Sequence, residues 1–456
     1  MSVVPAEMTP REHWKNSILA GLANYIDGGS IVAGSAALAL WAAAFHLTPT
    51  FVGIIGAFSA NAISAGIGAL VGGWLCDRLG RKTIYQYDMI FYAFGMLWLV
   101  FAVRPWMIVV GSILVGLAVG ADLPASWALI AELAPQRERG KHSGLAQVLW
   151  YLGPVVVLLL SVVLAPLGEL GARIVFAHLA VVAIVLTMLR RSMKESTLWQ
   201  DAKNTAETSV HGPRGERNSL WSLRTLRQLF TSQSLKSMVF LIAMYGIWNL
   251  WAGTNGFFFP YILRTVGAES QAASVAVQAG GYTVAMISIG LVFMRYSDRV
   301  SQRLMMGVSG LMQVAGMLLI ALFPLTTLVA LGYAFLLQFG GGFGQQSFFQ
   351  LWSAELFPTM GRSTAQGVMF AVVRIGLGVW SFFVPLLTAE GFTRLAWILT
   401  GFVALSSLIG FLGAPHNEGK SLREIEAERL GEIPNGSSTS SRAGHINIVP
   451  SRPRNP

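Results

Sequence analysis

Cysteine is almost absent: Cys76 is the only one in 456 residues, which excludes an internal disulfide and any cysteine-built metal cluster. Charge is scarce too, with 12% of residues Asp, Glu, Lys or Arg, about half the share of an ordinary soluble domain. No glycine-rich loop ends in Lys-Ser or Lys-Thr to cradle a phosphate, and no metal-ligand pair falls at helical spacing. His142 and His178 stand isolated. These absences weigh against an ATP-driven pump and against a membrane enzyme, and neither metal nor cofactor is expected. Met1 to Lys15 is polar, mixed in charge and without the short apolar core or small-residue cleavage site of a signal peptide, so the first apolar run is expected to be retained.

What fills the chain is apolar sequence, 54% of it, in successive runs near the ~20 residues that cross a bilayer core. Spans are expected at 16–44, 51–75, 83–103, 106–131, 143–165 and 172–190, then at 237–263, 271–294, 304–323, 326–354, 363–388 and 392–414. The expected fold is therefore all-α integral membrane, with two six-helix halves at 16–190 and 237–414. Residues 1–15 precede them, and 191–236, carrying Lys194, Lys203, Arg214, Arg217, Arg224 and Arg227, forms a linker too charged for lipid. In the tail, 415–456, Pro, Ser, Asn and Gly dominate from Gly431 onward, so disorder is expected.

The net charge of +10 is confined to particular loops. One set holds Arg78, Arg81, Lys82, Arg137, Arg139, Lys141, the linker, Arg295, Arg299, Arg303 and Arg362; the other holds little beyond Arg104, Arg173, Arg264 and Arg394. Cytoplasmic loops retain Lys and Arg, so both termini are expected in the cytoplasm of an inner-membrane protein. Aromatics lie inside the apolar runs instead of among basic residues, which argues against nucleic-acid binding.

The halves repeat. Ala131-Glu132-Leu133-Ala134-Pro135 with Arg139 recurs 223 residues on as Ala354-Glu355-Leu356-Phe357-Pro358 with Arg362, and Asp77-Arg78 recurs 221 residues on as Asp298-Arg299. The run Gly72-Gly73-Trp74-Leu75-Cys76-Asp77-Arg78-Leu79-Gly80-Arg81-Lys82 combines a tight glycine-bearing turn with a helix-end Asp and paired bases, parts of an ion network that breaks and re-forms as halves rock. This run resembles the loop signature of the major facilitator superfamily, and Glu132 to Gly140 resembles the fourth-span signature of its sugar porter and metabolite/proton symporter families. Asn24 to Val32, Gly120 to Trp127 and Gln345 to Glu355 are similar to the bacterial minor inositol transporters. The resemblance implies alternating access and a monomer, with gating by Asp77, Arg78, Gly80, Arg81, Lys82, Glu132, Arg139, Asp298, Arg299, Glu355 and Arg362. The same scaffold carries pentoses, hexoses, polyols and aromatic acids.

Charges inside a membrane are functional candidates by default, and three stand out: Asp27, Asp122 and Arg374. Asp27 either carries the coupling proton, as the resemblance to sugar/proton symporters implies, or fixes a glycine-broken first helix by bonding local backbone N–H groups. In those symporters an arginine of the fourth span faces the acid; Ser112 stands there here. Asp122 and Arg374 offer an altered network, with Arg374 either donating to substrate hydroxyls or counterbalancing Asp122. A polyol needs several convergent neutral donors and acceptors beside an aromatic surface. Gln147, Asn249, Asn255, Gln345, Gln346 and Gln350 supply the first, and Trp150, Trp248 or Trp352 the second. The expected function is import of a cyclitol, polyol or monosaccharide, myo-inositol foremost, with protons. An organic acid symporter and a non-transporting sensor are the alternatives.

Overall fold

The computed structural model describes residues 10–135, 138–190, 199–200, 232–266, 270–323, 327–358 and 361–418, with a few further positions up to 428. The tail from Gly431 and most of the linker lie outside the described residues. Within them the regular structure is helical and groups into twelve spans. The first six are Pro10–Ala44, Pro49–Ala57 with Ile63–Leu79, Arg81–Val100, Pro105–Leu133, Arg139–Val163 and Glu169–Arg190. The seventh joins Ser232–Gly253, Thr254–Phe258 and Phe259–Val266, and the eighth joins Gln271–Ser288, Ile289–Phe293 and Met294–Tyr296. Gln302–Leu322 is the ninth, Thr327–Gly342 with Gln345–Glu355 the tenth, Arg362–Glu390 the eleventh and Phe392–Gly413 the twelfth. Nine of these are long and apolar enough, uninterrupted, to cross a membrane; the second and tenth are broken, and the third carries Arg81, Lys82 and Asp88 at one end.

The interruptions have local causes. Between the two pieces of the second span, the Ser59 hydroxyl accepts from the Asn61 N–H at 3.3 Å and the Ser64 hydroxyl donates to the Phe58 carbonyl at 3.0 Å. These side chains offer the backbone an alternative to helical bonding. In the tenth span the Ser347 hydroxyl takes the Gly342 carbonyl at 2.7 Å and that of Ser309 the Gly340 carbonyl at 2.8 Å. Thr254–Phe258 is a π-helical turn, and the Gln278 amide donates to the carbonyls of Asn255 and Gly256, both at 3.0 Å. No water reaches such groups in lipid, so a neighbouring span must satisfy them. The first span, expected to be glycine-broken in one reading of Asp27, is continuous.

Close backbone approach joins the halves. A Cβ on Gly73 of the second span would fall 2.4 Å from the Ser363 carbonyl of the eleventh, and one on Gly367 2.3 Å from that of Ala69. Gly367→Val is therefore expected to push the eleventh span away and lower the melting temperature by several degrees, since overpacking of this kind costs about 1–3 kcal/mol; an unchanged melting profile would show that the contact tolerates separation. Gly80, at φ 98°, makes the left-handed turn from second to third span that the loop motif requires.

Candidate functional site

The face bearing the Arg- and Lys-rich loops is closed by matched contacts. Arg139, at the start of the fifth span, meets Glu355, at the end of the tenth, at 2.8 Å. Arg362, at the start of the eleventh, meets Glu132, near the end of the fourth, at 3.0 Å. Each pair crosses between the halves, and all four side chains are at most 5% exposed. The aspartates follow the same rule. Asp77 accepts from the Thr364 N–H and hydroxyl, each at 2.7 Å, while Asp298 accepts from the N–H groups of Gly140 and Lys141 at 2.9 and 3.1 Å. Each carboxylate thus caps the N-terminus of a helix in the opposite half, where unsatisfied N–H groups and the helix dipole favour an anion. Burial pushes the Asp298 carboxyl above its usual range, and the two N–H bonds oppose that shift.

Asn417 donates to Glu355 at 3.1 Å, Glu418 accepts from the Gln302 N–H at 2.7 Å, and Trp199 donates its indole N–H to the Asp77 carbonyl at 3.1 Å. Segments outside the spans therefore brace the same face. Two of the expected gating residues are placed elsewhere: Arg78 lies over the Trp74 ring at 5.4 Å, and Arg299 is exposed. Lys82 is half-buried, and the Arg81 side chain lies outside the described residues.

Above this closure, towards the middle of the bundle, the halves meet through amides. Gln147 of the fifth span donates to Gln350 of the tenth and accepts from Gln346 at 3.1 Å. Next to them a narrow cavity lined by Trp127, Ser143, Gln350, Arg139 and Glu355 runs to the ion pairs. Trp127 is buried with its indole N–H lacking a partner, and its ring meets Phe349 and Phe370 edge-on, both at 5.9 Å.

Arg374 of the eleventh span donates to the side chain of Asn61, to its carbonyl at 3.1 Å and to the Asn249 side chain at 3.2 Å. The break in the second span is what frees the Asn61 carbonyl. No carboxylate lies within ion-pair distance of Arg374 among the described residues, and Arg374 stacks over Phe370 at 4.4 Å. Of the two roles expected for Arg374, the counterbalance to Asp122 is not realised: Asp122 is paired with Arg190, at 3.3 Å, because the fourth and sixth spans bring these two together inside one half.

Other expected contributors turn inward. Gln345 accepts from Gln313 at 2.7 Å and donates to Ser407 at 2.9 Å; Gln313 also accepts the Trp248 N–H at 2.8 Å. Trp352 donates to Gln302 and stacks on Phe348 at 4.8 Å. These residues hold the C-terminal half together and leave the cavity to others. Asn255 accepts from Tyr333 at 3.2 Å, again within that half, and Trp150 joins Tyr151 and Tyr282 between the fifth and eighth spans.

Asp27 is 1% exposed, and neither carboxylate oxygen has a hydrogen-bond partner. It does not serve as the local backbone clamp of the structural reading. The charges within its electrostatic reach are Asp122, Arg190 and Arg374. The sequence reading passed over Asp88 and Arg190, both inside apolar spans; the rule that singles out intramembrane charges applies equally to them. Asn61 carried no such signal, since a lone Asn between two alanines looks like any other polar residue in a span. Trp127 was quoted only as the end of a motif.

Two helical lobes, swapped ion pairs sealing one face and a polar chamber between them define a multi-pass membrane carrier of the rocking, two-lobed kind. The chain belongs to the Major Facilitator Superfamily, whose family model matches residues 18–354. It is 44% identical to the minor myo-inositol transporter IolF of Bacillus subtilis, over 91% of this chain and 94% of that protein. It is also 24% identical to the cis,cis-muconate transport protein of Acinetobacter baylyi, over 85% of this chain and 91% of the other. Among solved structures, the proton:xylose symporter XylE bound to 6-bromo-6-deoxy-D-glucose superposes with a TM-score of 0.76 at 17% identity, covering 91% of this chain and 98% of XylE.

Proposed function

We propose that this protein imports myo-inositol or a closely related cyclitol by proton symport, as a monomer in the inner membrane with the basic face towards the cytoplasm. The observation that carries the reading is the meeting of Gln147, Gln346 and Gln350 across the halves next to Trp127, whose neighbour Phe370 is covered by Arg374. A ring of neutral hydroxyls needs donors and acceptors together, and each amide offers both. Because Gln147 lies in one lobe and Gln346 and Gln350 in the other, a polyol taking over their mutual hydrogen bonds would tie closure of the lobes to occupancy. The high identity to a myo-inositol transporter supports the choice of cyclitol.

The test is uptake of radiolabelled myo-inositol into proteoliposomes holding the purified protein, with and without an inward proton gradient. Gradient-driven accumulation is expected; folded protein with no specific uptake would rule out the substrate. Gln147→Leu is expected to raise KM for myo-inositol at least tenfold, because its loss leaves Gln350 and Gln346 short of a partner and a substrate hydroxyl unsatisfied, each costing about 1–3 kcal/mol. An unchanged KM would remove Gln147 from the site.

A second reading, transport of an organic acid, rests on Arg374, a buried guanidinium with neutral partners that could take a carboxylate bidentately. Arg374→Ala separates the two readings. Weakened inositol uptake in the variant, with no inhibition of wild-type uptake by muconate-like acids, would fit hydroxyl recognition, whereas inhibition by such acids that is lost in the variant would favour the acid.

A further inference from the structure

We propose that Asp88, Asp122 and Arg190 form a second proton-binding site, buried within the N-terminal half, through which a proton leaving Asp27 passes towards the basic face. The inference rests on the symport reading above for its direction, and on geometry for the site itself. Arg190 lies 3.3 Å from Asp122 and 3.5 Å from Asp88, and the three side chains are 0–2% exposed. Two carboxylates thus share one guanidinium, two negative charges facing a single positive one. Like charges gathered round one guanidinium in low dielectric favour one proton on the pair.

Charge balance agrees. With one shared proton the cluster is neutral; without it, a net negative charge would sit in low dielectric at a cost of several kcal/mol. Arg190 supplies the fixed positive charge that a bound sodium ion would have to displace, so the ligand is the proton. The Asp88 and Asp122 outer oxygens, Oδ2, are buried without partners, leaving either free to hold the one proton or pass it on.

The independent observation is Asp27. Its carboxyl is buried, bonded to nothing and electrostatically linked to Asp122 and Arg190. Around the route the first span contributes Asp27, the third Asp88, the fourth Asp122 and the sixth Arg190, with Arg374 reaching Asp27 from the other half. Asp88 stands two turns inside the third span and Asp122 three turns from the end of the fourth, which places the cluster roughly 10–16 Å from the basic face. Protons would thus leave through the inside of one lobe, while the solute leaves between the lobes.

Infrared titration of purified protein tests the site without relying on transport. In an Asp27→Asn background, a protonated-carboxyl C=O band is expected to persist at neutral pH and to vanish when Asp88→Asn is added. No such band, or one that Asp88→Asn and Asp122→Asn each leave unchanged, would overturn the proposal. In proteoliposomes Asp88→Asn is expected to keep solute exchange, which also reports folding, and to lose at least tenfold in proton-driven accumulation; accumulation at the wild-type level would overturn the route. If wild type moves inositol without protons, the functional reading fails on its own, and the infrared result still decides the site.

Discussion

The Asp27→Asn variant is expected to exchange labelled for unlabelled substrate at close to the wild-type rate and to lose uphill accumulation altogether. The carboxylate is 1% exposed and has no hydrogen-bond partner, so its charged form is held in low dielectric with nothing to satisfy it, at a cost of several kcal/mol. Protonation removes that cost and permits the loaded carrier to close. Asparagine has the shape of the protonated acid and cannot release a proton, so the loaded and empty carriers would reorient alike. With one proton per solute, an imposed gradient of about one pH unit supports roughly tenfold accumulation in wild type, the factor that corresponds to about 1.4 kcal/mol. In the variant the ratio of internal to external solute should settle near one. Accumulation preserved in Asp27→Asn would move coupling elsewhere, and Asp122 would be the next residue to test.

The second large effect concerns the closed face. Arg362→Ala leaves Glu132 buried without its guanidinium, and removing one member of a buried pair costs about 3–5 kcal/mol. That penalty falls on the state with this face sealed and largely disappears when water reaches Glu132. The open state is therefore expected to gain a factor of about 100 or more in population. A cysteine reporter at Ser143, buried beside the ion pairs, in a Cys76→Ser background should be labelled by a maleimide far faster in the variant. Exchanging the charges, with Glu132→Arg together with Arg362→Glu, should restore slow labelling. If Arg362→Ala leaves labelling slow in folded protein, the pair does not hold the face shut.

Spans and halves were legible because they depend on local hydropathy and on a repeat that the chain prints twice. The ion-paired residues were legible as residue types, since Glu132, Arg139, Glu355 and Arg362 recur at a fixed offset. Their crossed pairing was not, because nothing local tells a glutamate which arginine it will meet. The proposed substrate chamber was only half readable. Gln345, Gln346 and Gln350 are three amides in one stretch, yet the break at Phe343–Gly344 turns Gln345 towards Gln313 and Ser407, while Gln346 and Gln350 face Gln147. A helix of small residues gives little rotational signal, and a broken one gives less. Arg374 was recognised as a charge in lipid, but its partners come from the interruption in the second span and from the seventh, which sequence alone does not juxtapose.

The crossed pairing of Glu132 with Arg362 and Arg139 with Glu355 has a consequence for ancestry. Each half carries one glutamate and one arginine in corresponding places, so the contact is isologous: the same patch faces its own counterpart about an approximate twofold axis, as in a symmetric dimer. A single half already holds both members of the bond. Two identical copies of a six-helix ancestor could have sealed this face without a change to either, and fusion into one chain then left each copy free to specialise. The N-terminal one now carries Asp27, Asp88, Asp122 and Arg190, and the C-terminal one Asn249, Gln346, Gln350 and Arg374.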